Sequence, residues 1–350
     1  MYCEALVAYG EPLQRLEIDT PEPKGAEVVL KVTDCGVCHS DIHLQDGHFD
    51  LGGGNKLDVR GGRKLPFVLG HEIGGTVVAV GPDATGVKIG DRRVAFPWIG
   101  CGQCAACDRG EEQLCNRPVN LGIQKDGGFA SHVLVPHARY LLDYGNTDPG
   151  LAAAYMCSGL TAFSALKKIG TPGKTEPVVI VGLGGVGMMG LQFARALFDA
   201  PIIGVDVDQA KLDAALKAGA SQVINSREPG ALKEFMKATG GAYAAVDFVG
   251  SEPSFAFTSG CIRKGGKAIV VGMFGGQFSM PLPLLPMRAI SIGGSFVGSL
   301  AETVEMMELV KAGRIDPIPV TRRPLAEASA TLEDLRAGKI VGRVVLDPVG

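Results

Sequence analysis

The chain has 350 residues, enough for two cores of the usual ~100 to 200 residues each. Its 34 Lys and Arg against 37 Asp and Glu leave a formal charge of −3, and no basic run occurs, which excludes a dedicated nucleic-acid surface. Met1 to Ala5 lack the basic and apolar regions of a signal peptide, and no uninterrupted apolar run approaches the ~20 residues of a membrane span. A soluble cytoplasmic protein with neither nucleic-acid nor membrane partners is therefore expected. In that reducing compartment nine cysteines point to metal ligands or catalytic thiols rather than disulfides.

Short runs rich in Val, Ile, Leu and Ala at 4–9, 27–34, 73–80 and 92–96, separated by Pro, Gly and Asp, predict strands joined by turns, so this half should be mainly β. Cys3, Cys35 and Cys261 sit alone among apolar neighbours and read as small buried hydrophobes. The stretch Gly36 to His43 is different: Cys38, His39, Ser40, Asp41 and His43 put a thiol, two imidazoles, a hydroxyl and a carboxylate within eight residues. Such density suggests a reaction centre. A catalytic zinc takes about three protein ligands and keeps one position open, so Cys38 can be only the first. His71 in Gly70-His71-Glu72 and Cys157 in Met156-Cys157-Ser158 are the candidates from distant segments. The polar, glycine-rich stretch 44–65 reads as a long loop and, from its place beside the metal segment, as a wall of a substrate pocket.

Cys101, Cys104, Cys107 and Cys115 have the spacing Cys-x2-Cys-x2-Cys-x7-Cys, which can wrap four thiolates around one zinc in a short lobe. A closed four-sulfur shell leaves no room for substrate, so the role is structural. Four thiolates also hold iron, and spacing alone leaves an iron–sulfur cluster open.

From about residue 158 the pattern changes. Val178 to Val181 is a fully apolar strand, followed by apolar residues at helical spacing from Val186 to Leu197 and a strand at 202–205. Further helix and strand pairs run through 212–218, 223–224, 232–238, 246–249, 255–262 and 268–271, which implies a parallel sheet covered by helices on both faces. Helices at 302–312 and 325–337 and a strand at 340–346 follow. Gly182-Leu183-Gly184-Gly185-Val186-Gly187 fits Gly-x-Gly-x-x-Gly between that first strand and its helix. Gly182 permits the tight turn, Gly184 admits a pyrophosphate to the backbone, and Gly187 lets the helix approach its strand. Asp206 ends the next strand, 19 residues after Gly187. It can accept from both ribose hydroxyls and would repel a 2′-phosphate, so NAD is preferred to NADP.

Together Cys38, His71, Cys157, the four-cysteine lobe and the glycine motif with Asp206 resemble the zinc-dependent alcohol dehydrogenases of the medium-chain dehydrogenase/reductase superfamily, over nearly the whole chain. The resemblance implies an α/β protein in two parts. Residues 1–157 would form a mainly β GroES-like catalytic domain with a structural-zinc lobe, and 158–294 a Rossmann domain with a doubly wound parallel sheet binding NAD. Residues 295–350 would return to complete the catalytic domain. It also implies two zincs per chain, one structural at Cys101, Cys104, Cys107 and Cys115, one catalytic at Cys38, His71 and Cys157. Glu72 would lie next to the catalytic metal and assist ligand exchange, and Asp41 would orient the histidine.

For the cofactor, Lys211 would meet the adenosine ribose, His39 and Arg343 the pyrophosphate, and Thr161 and Val186 the nicotinamide, with Gly185 of the glycine turn also among the binding residues. Ser40 and His43 would relay the alcohol's proton outward, histidine suiting the outer post because its ordinary pKa is ~6.5. The activity implied is reversible hydride transfer between a primary or secondary alcohol, or the matching aldehyde or ketone, and NAD. The alternatives are a polyol or amino-alcohol dehydrogenase on the same zinc, or a non-catalytic scaffold. Ser40, Trp98 and the 44–65 loop would line a mainly apolar pocket, which favours a hydrophobic alcohol; Trp98 reads equally well as core packing. Ala289 to Ile292 and Gly293 to Gly298 resemble the family's subunit-pairing edge, which implies a homotetramer or homodimer, the tetramer preferred.

Overall fold

The computed structural model describes residues 1–348. Two sheet systems organise them. The first is mixed, with strand order Leu141–Leu142, Arg92–Ala95, Glu72–Val80, Val28–Gly36, Arg343–Asp347 and Val320–Pro324, and with His132–Val135 also pairing Val28–Gly36. Only Val320–Pro324 and Arg343–Asp347 run parallel; the other pairs are antiparallel. The C-terminal strands thus lie beside the strand that leads into Cys38. A three-stranded sheet of Gln14–Glu17, Tyr2–Leu6 and Phe67–Val68 packs nearby.

The second sheet is wholly parallel. Its order is Gln222–Asn225, Ile202–Asp206, Val178–Val181, Ala242–Asp247, Ile262–Val270 and Ser291–Gly294. Val178–Val181 sits inside it and is buried at every position, as a strand covered on both faces must be. The crossovers are the helices Gly185–Leu197, Gln209–Lys217, Ala231–Thr239, Glu252–Cys261 and Leu284–Arg288.

Element ends depart from the sequence pattern where a side chain or a left-handed glycine stops the run. The strand expected at 246–249 is Ala242–Asp247. It ends at Asp247 because that buried carboxylate accepts the N–H of Val249 (2.9 Å) and Gly250 (3.0 Å) and bends the chain out of the ladder. The final strand begins only at Arg343, since Gly342 has φ +76°, a conformation outside the strand region. At the edge resembling a subunit-pairing surface the outer strand is Ser291–Gly294 and does not start at Ala289, because Ala289 closes the preceding helix with φ +50°.

The largest correction is at 44–65. The helix His39–Asp46 runs into it and stops at Gly47, whose φ is +77° and whose N–H donates to the His43 carbonyl. An antiparallel hairpin of His48–Gly52 and Asn55–Asp58 follows. Its tip, Gly52-Gly53-Gly54, is left-handed throughout. A stretch that is polar on both faces and glycine-rich gives no alternation to read, so the hairpin was invisible as period.

Pro149–Ile169 is long and apolar enough to cross a membrane by composition, yet 89% of its most apolar 18 residues are buried within the protein. It is the core helix. Asp148 caps it by accepting the Leu151 N–H at 3.0 Å, and a π-helical turn, Tyr155–Gly159, interrupts it. Tyr155 and Phe163 both meet the Phe193 ring edge-on, at 5.9 and 5.6 Å, and all three are fully buried. Phe193→Ala should cost about 3 to 5 kcal/mol through lost contacts and a cavity. A chemical denaturation curve that stays in place would show that the helices close over the gap.

Candidate active site

The site is assembled where four distant segments meet. Cys38 is the N-cap of the helix His39–Asp46, and its N–H donates to Asp41 Oδ2 at 2.9 Å. The same carboxylate reaches His71 Nδ1 through Oδ1 at 3.2 Å. One buried acid therefore starts the helix and holds the imidazole. With Nδ1–H given to Asp41, Nε2 carries the lone pair, and Nε2 is buried with no hydrogen-bond partner. Cys157 comes from the π-helical turn, an insertion that often marks a functional position.

The ligating atoms of Cys38, His71, Glu72 and Cys157 all lie within 4.8 Å of one another, and all four residues are buried. Cys157 hydrogen-bonds the Cys38 sulfur and holds its pKa well below the usual thiol range, against the opposing effect of burial. The same bond, with burial, pushes Cys157 up. Two buried sulfurs beside an unpartnered imidazole nitrogen are the donor set of a soft or borderline cation, and they fit zinc.

Glu72 is engaged elsewhere. Arg343 Nη2 lies 2.6 and 2.5 Å from its two oxygens, and Ser158 Oγ donates to Oε1 at 2.9 Å. Burial still dominates, and the carboxyl is pushed up to about 7. Gly36 makes the space: a Cβ there would stand 2.0 Å from Glu72 Oε2. Arg343 also donates to the Val37 carbonyl at 2.9 Å. Its chain passes the glycine turn, with Cδ 3.0 Å from where a Gly185 Cβ would be. The residue expected at a pyrophosphate is thus first of all the partner of Glu72.

The glycine turn follows the strand Val178–Val181 and opens the helix Gly185–Leu197. Gly182 has φ +85°, and a Cβ at Gly187 would sit 1.7 Å from the Gly182 carbonyl oxygen, whereas one at Gly184 would meet nothing within 4 Å. The first and third glycines are sterically required, and the second leaves open backbone for a phosphate. Asp206 accepts from Leu183 N and Val207 N, each at 2.7 Å, and from Asp208 N at 3.1 Å. These bonds fix the carboxylate beside the turn. Lys211 lies five residues on, in the helix Gln209–Lys217.

A cleft of about 900 Å³ runs between the sheets. Cys38 and Cys157 line it, as do His39, Ser40 and His43 from the helix wall and Thr161 and Val186 from the opposite side. Burial lowers the pKa of the half-buried His43. Trp98 takes both roles open to it. It is 2% exposed and its indole N–H donates to the Met156 carbonyl at 3.0 Å, yet its ring lies 5.5 Å from His71 and borders the cleft. Among the described residues none from 44–65 lines the cleft; the hairpin stands behind its wall.

Met273, Phe274, Phe296 and Val297 also line the cleft and were not picked out as pocket residues by sequence. Phe296 meets Trp98 edge-on at 5.9 Å. Val297 has φ +38°, strain for a β-branched residue and of the sort that gathers at functional sites. The Gly-Gly-Ser-Phe-Val-Gly run was the available signal.

The four-cysteine lobe closes on itself. Cys104 Sγ lies 3.6 Å from Cys107 Sγ and 3.7 Å from Cys115 Sγ, near the ~3.8 Å edge of a tetrahedron with Zn–S of ~2.3 Å. Glu112 ties the lobe down, accepting from Gly100 N (2.9 Å), Tyr140 OH (2.7 Å) and Arg139 (2.8 Å).

Comparison with known proteins agrees with this geometry. The family described as alcohol dehydrogenase GroES-like domain matches residues 24–144, and zinc-binding dehydrogenase matches 185–312. An NAD-dependent alcohol dehydrogenase of Sulfurisphaera tokodaii is 40% identical over 347 residues, 98% of this chain and 99% of that protein. Among solved structures, the alcohol dehydrogenase of Aeropyrum pernix is 30% identical with a TM-score of 0.88, covering 99% of this chain and 100% of its own. A D-arabinose dehydrogenase from Sulfolobus solfataricus reaches 0.84 at 27% identity, covering 99% of each chain.

Replacing Arg343 by Met should leave a buried Glu72 charge uncompensated and lower the unfolding free energy by about 3 to 5 kcal/mol. Urea denaturation measures it, and an unchanged midpoint would mean that Glu72 is held protonated without its partner.

Proposed function

Since the chain belongs to the zinc-dependent alcohol dehydrogenases of the medium-chain dehydrogenase/reductase superfamily, we propose that it interconverts a primary or secondary alcohol and its carbonyl compound with NAD as hydride acceptor. One observation carries the reading. Cys38 and Cys157 lie beside the unpartnered Nε2 of His71 and line the same cleft as Thr161 and Val186.

When bound, zinc supplies a Lewis acid that eases loss of the alcohol's proton, and NAD supplies the hydride acceptor. Cys38, His71 and Cys157 hold the metal, and Asp41 keeps His71 in the ligating tautomer. Arg343 and Ser158 hold Glu72 beside this set. The Ser40 hydroxyl takes the substrate's proton as it gives its own onward, and His43 receives that proton and passes it toward solvent; burial lowers the pKa of that imidazole, which favours the release step. His39, Arg343 and the Gly182–Gly187 turn receive the pyrophosphate, Asp206 and Lys211 the adenosine ribose, and Thr161 and Val186 border the nicotinamide. Cys101, Cys104, Cys107 and Cys115 hold the structural zinc.

We divide the chain into 1–157, 158–294 and 295–350, supported by the return of Val320–Pro324 and Arg343–Asp347 to the first sheet. A cytoplasmic setting is supported by the nine free thiols. A homotetramer, or at least a homodimer, is supported by the terminal strand Ser291–Gly294, on which Ile292 is 41% exposed, and by the exposed Leu282 and Met287 that precede it in the chain. Ile292→Glu should shift the sedimenting species toward monomer, and a wild-type monomer would sink the assembly.

The direct test follows reduced nicotinamide by absorbance, with NAD against NADP, across aliphatic, benzylic, cyclic and polyol substrates. Turnover with NAD is expected on an apolar alcohol. Cys38→Ser should abolish it, cut the zinc content from two to one, and spare NADH binding. Two bound zincs and NADH binding without any turnover would refute the substrate class; failure to bind NADH would favour a scaffold.

A further inference from the structure

His39 and His43 lie one turn apart on the helix His39–Asp46, and both border the cleft. Each is covered by a phenylalanine from elsewhere. The Phe49 ring lies 4.4 Å from His43, and the Phe274 ring lies 5.5 Å from His39. Phe49 belongs to the first strand of the 48–58 hairpin, whereas Phe274 follows the parallel strand Ile262–Val270.

These two segments then touch at their backbones. A Cβ on Gly52 would stand 2.6 Å from Gly276 Cα, one on Gly275 would stand 2.6 Å from the Asp50 carbonyl oxygen, and one on Gly53 would stand 3.2 Å from Gln277 Nε2. Glycine on both sides is what permits the approach. The receiving segment is anchored at the end of the nucleotide sheet, with Phe274 N–H donating to the Val249 carbonyl and Gly275 N–H to that of Gly250. A closed circuit results, running from His43 through Phe49 and the hairpin tip to Gly276, then through Phe274 back to His39. It joins the two sheet systems behind the cleft wall.

The hairpin is ill suited to hold itself in place. It has two strands, Leu51 and Leu57 about half exposed, and an isolated two-stranded hairpin is marginal in water. Its base is tied by the Val59 N–H to the Gly47 carbonyl at 3.0 Å, and its outer part is placed by the Phe49–His43 ring contact and the glycine contact. Since it lines none of the cleft but backs the wall made by His39, His43 and Phe274, it acts on what that wall encloses.

We propose that the hairpin is a clasp that retains the dinucleotide: the Phe49–His43 ring contact and the Gly52–Gly276 contact hold the histidine wall closed over bound cofactor, and release requires the tip to lift. This rests on the assignment of the glycine turn to NAD. The test is the NADH dissociation rate of the zinc-loaded protein, read by fluorescence on displacement with excess NAD. Gly52→Ala, which collides with Gly276, should speed release about tenfold. Gly54→Ala is the matched control, with nearly the same φ (+82° against +80°) and nothing within 4 Å of the new Cβ, and should release at the wild-type rate. Phe49→Ala should also speed release and Phe49→Tyr restore it, with thermal midpoints close to wild type. Equal rates for Gly52→Ala and Gly54→Ala would overturn the clasp while leaving NAD binding intact. A wild-type protein that fails to bind NADH would overturn the cofactor assignment and the clasp with it.

Discussion

The structure turns on one buried carboxylate. Glu72 follows His71 at the start of a strand, and it is met by Arg343 from the last strand and by Ser158 from the core helix, with Gly36 leaving room from a third direction. Taking such a pair out of water costs as much as or more than its attraction returns, so its value is not in net stability. Its value is registry. The pair requires the C-terminal strand to lie beside the segment that carries Cys38, and it places the Arg343 side chain against the glycine turn. Metal set and nucleotide turn are thereby brought into one frame by a single ion pair.

A second economy operates at Asp41. A carboxylate at the third position of a helix is favourable there, because free N–H groups point at it. Here it also accepts from His71, so the geometry of helix start and imidazole are set together. The core helix contributes the other sulfur through its π-helical turn. An uninterrupted α-helix would rotate the side chains after Tyr155 by a fraction of a turn. The insertion instead presents Cys157 to the metal set and Ser158 to Glu72 while Tyr155 and Phe163 stay packed on Phe193.

What sequence could show was whatever is local. The cysteine spacing and the glycine turn each lie within a few residues, and their chemistry follows from short-range geometry alone. The parallel sheet was legible because a strand buried on both faces is apolar at every position, as Val178–Val181 is. Strand ends were less so, because Asp247 and Gly342 stop their strands by a side-chain bond and a left-handed φ that no period encodes. The Glu72, Ser158 and Arg343 cluster spans 271 residues of separation. Only family resemblance could place Arg343 near the site, and it carried no sign of the bond to Glu72. Phe274, Phe296 and Val297 escaped for the same reason: membership of a pocket is a tertiary property.

The polar groups of the cleft bear on which alcohol it receives. Lys168 Nζ donates to Ser164 Oγ at 2.7 Å and Ser295 Oγ at 2.9 Å, and Glu302 accepts from Ser299 N at 2.8 Å. Both are engaged before a substrate arrives. Beside His71 the wall is Trp98, with Phe296 against it, and Leu114 adds further apolar lining. A buried hydroxyl without a partner loses about 1 to 3 kcal/mol, so each hydroxyl of a polyol beyond the reacting one must find its own acceptor or donor. Among the described residues that line the cleft, Gln113 has the one buried side-chain atom without a partner, Oε1. That atom and the cleft hydroxyls of Ser40 and Thr161 are partners a further hydroxyl would have to reach. An apolar tail meets no such cost, and the same walls remove its surface from water at ~25 cal/mol per Å².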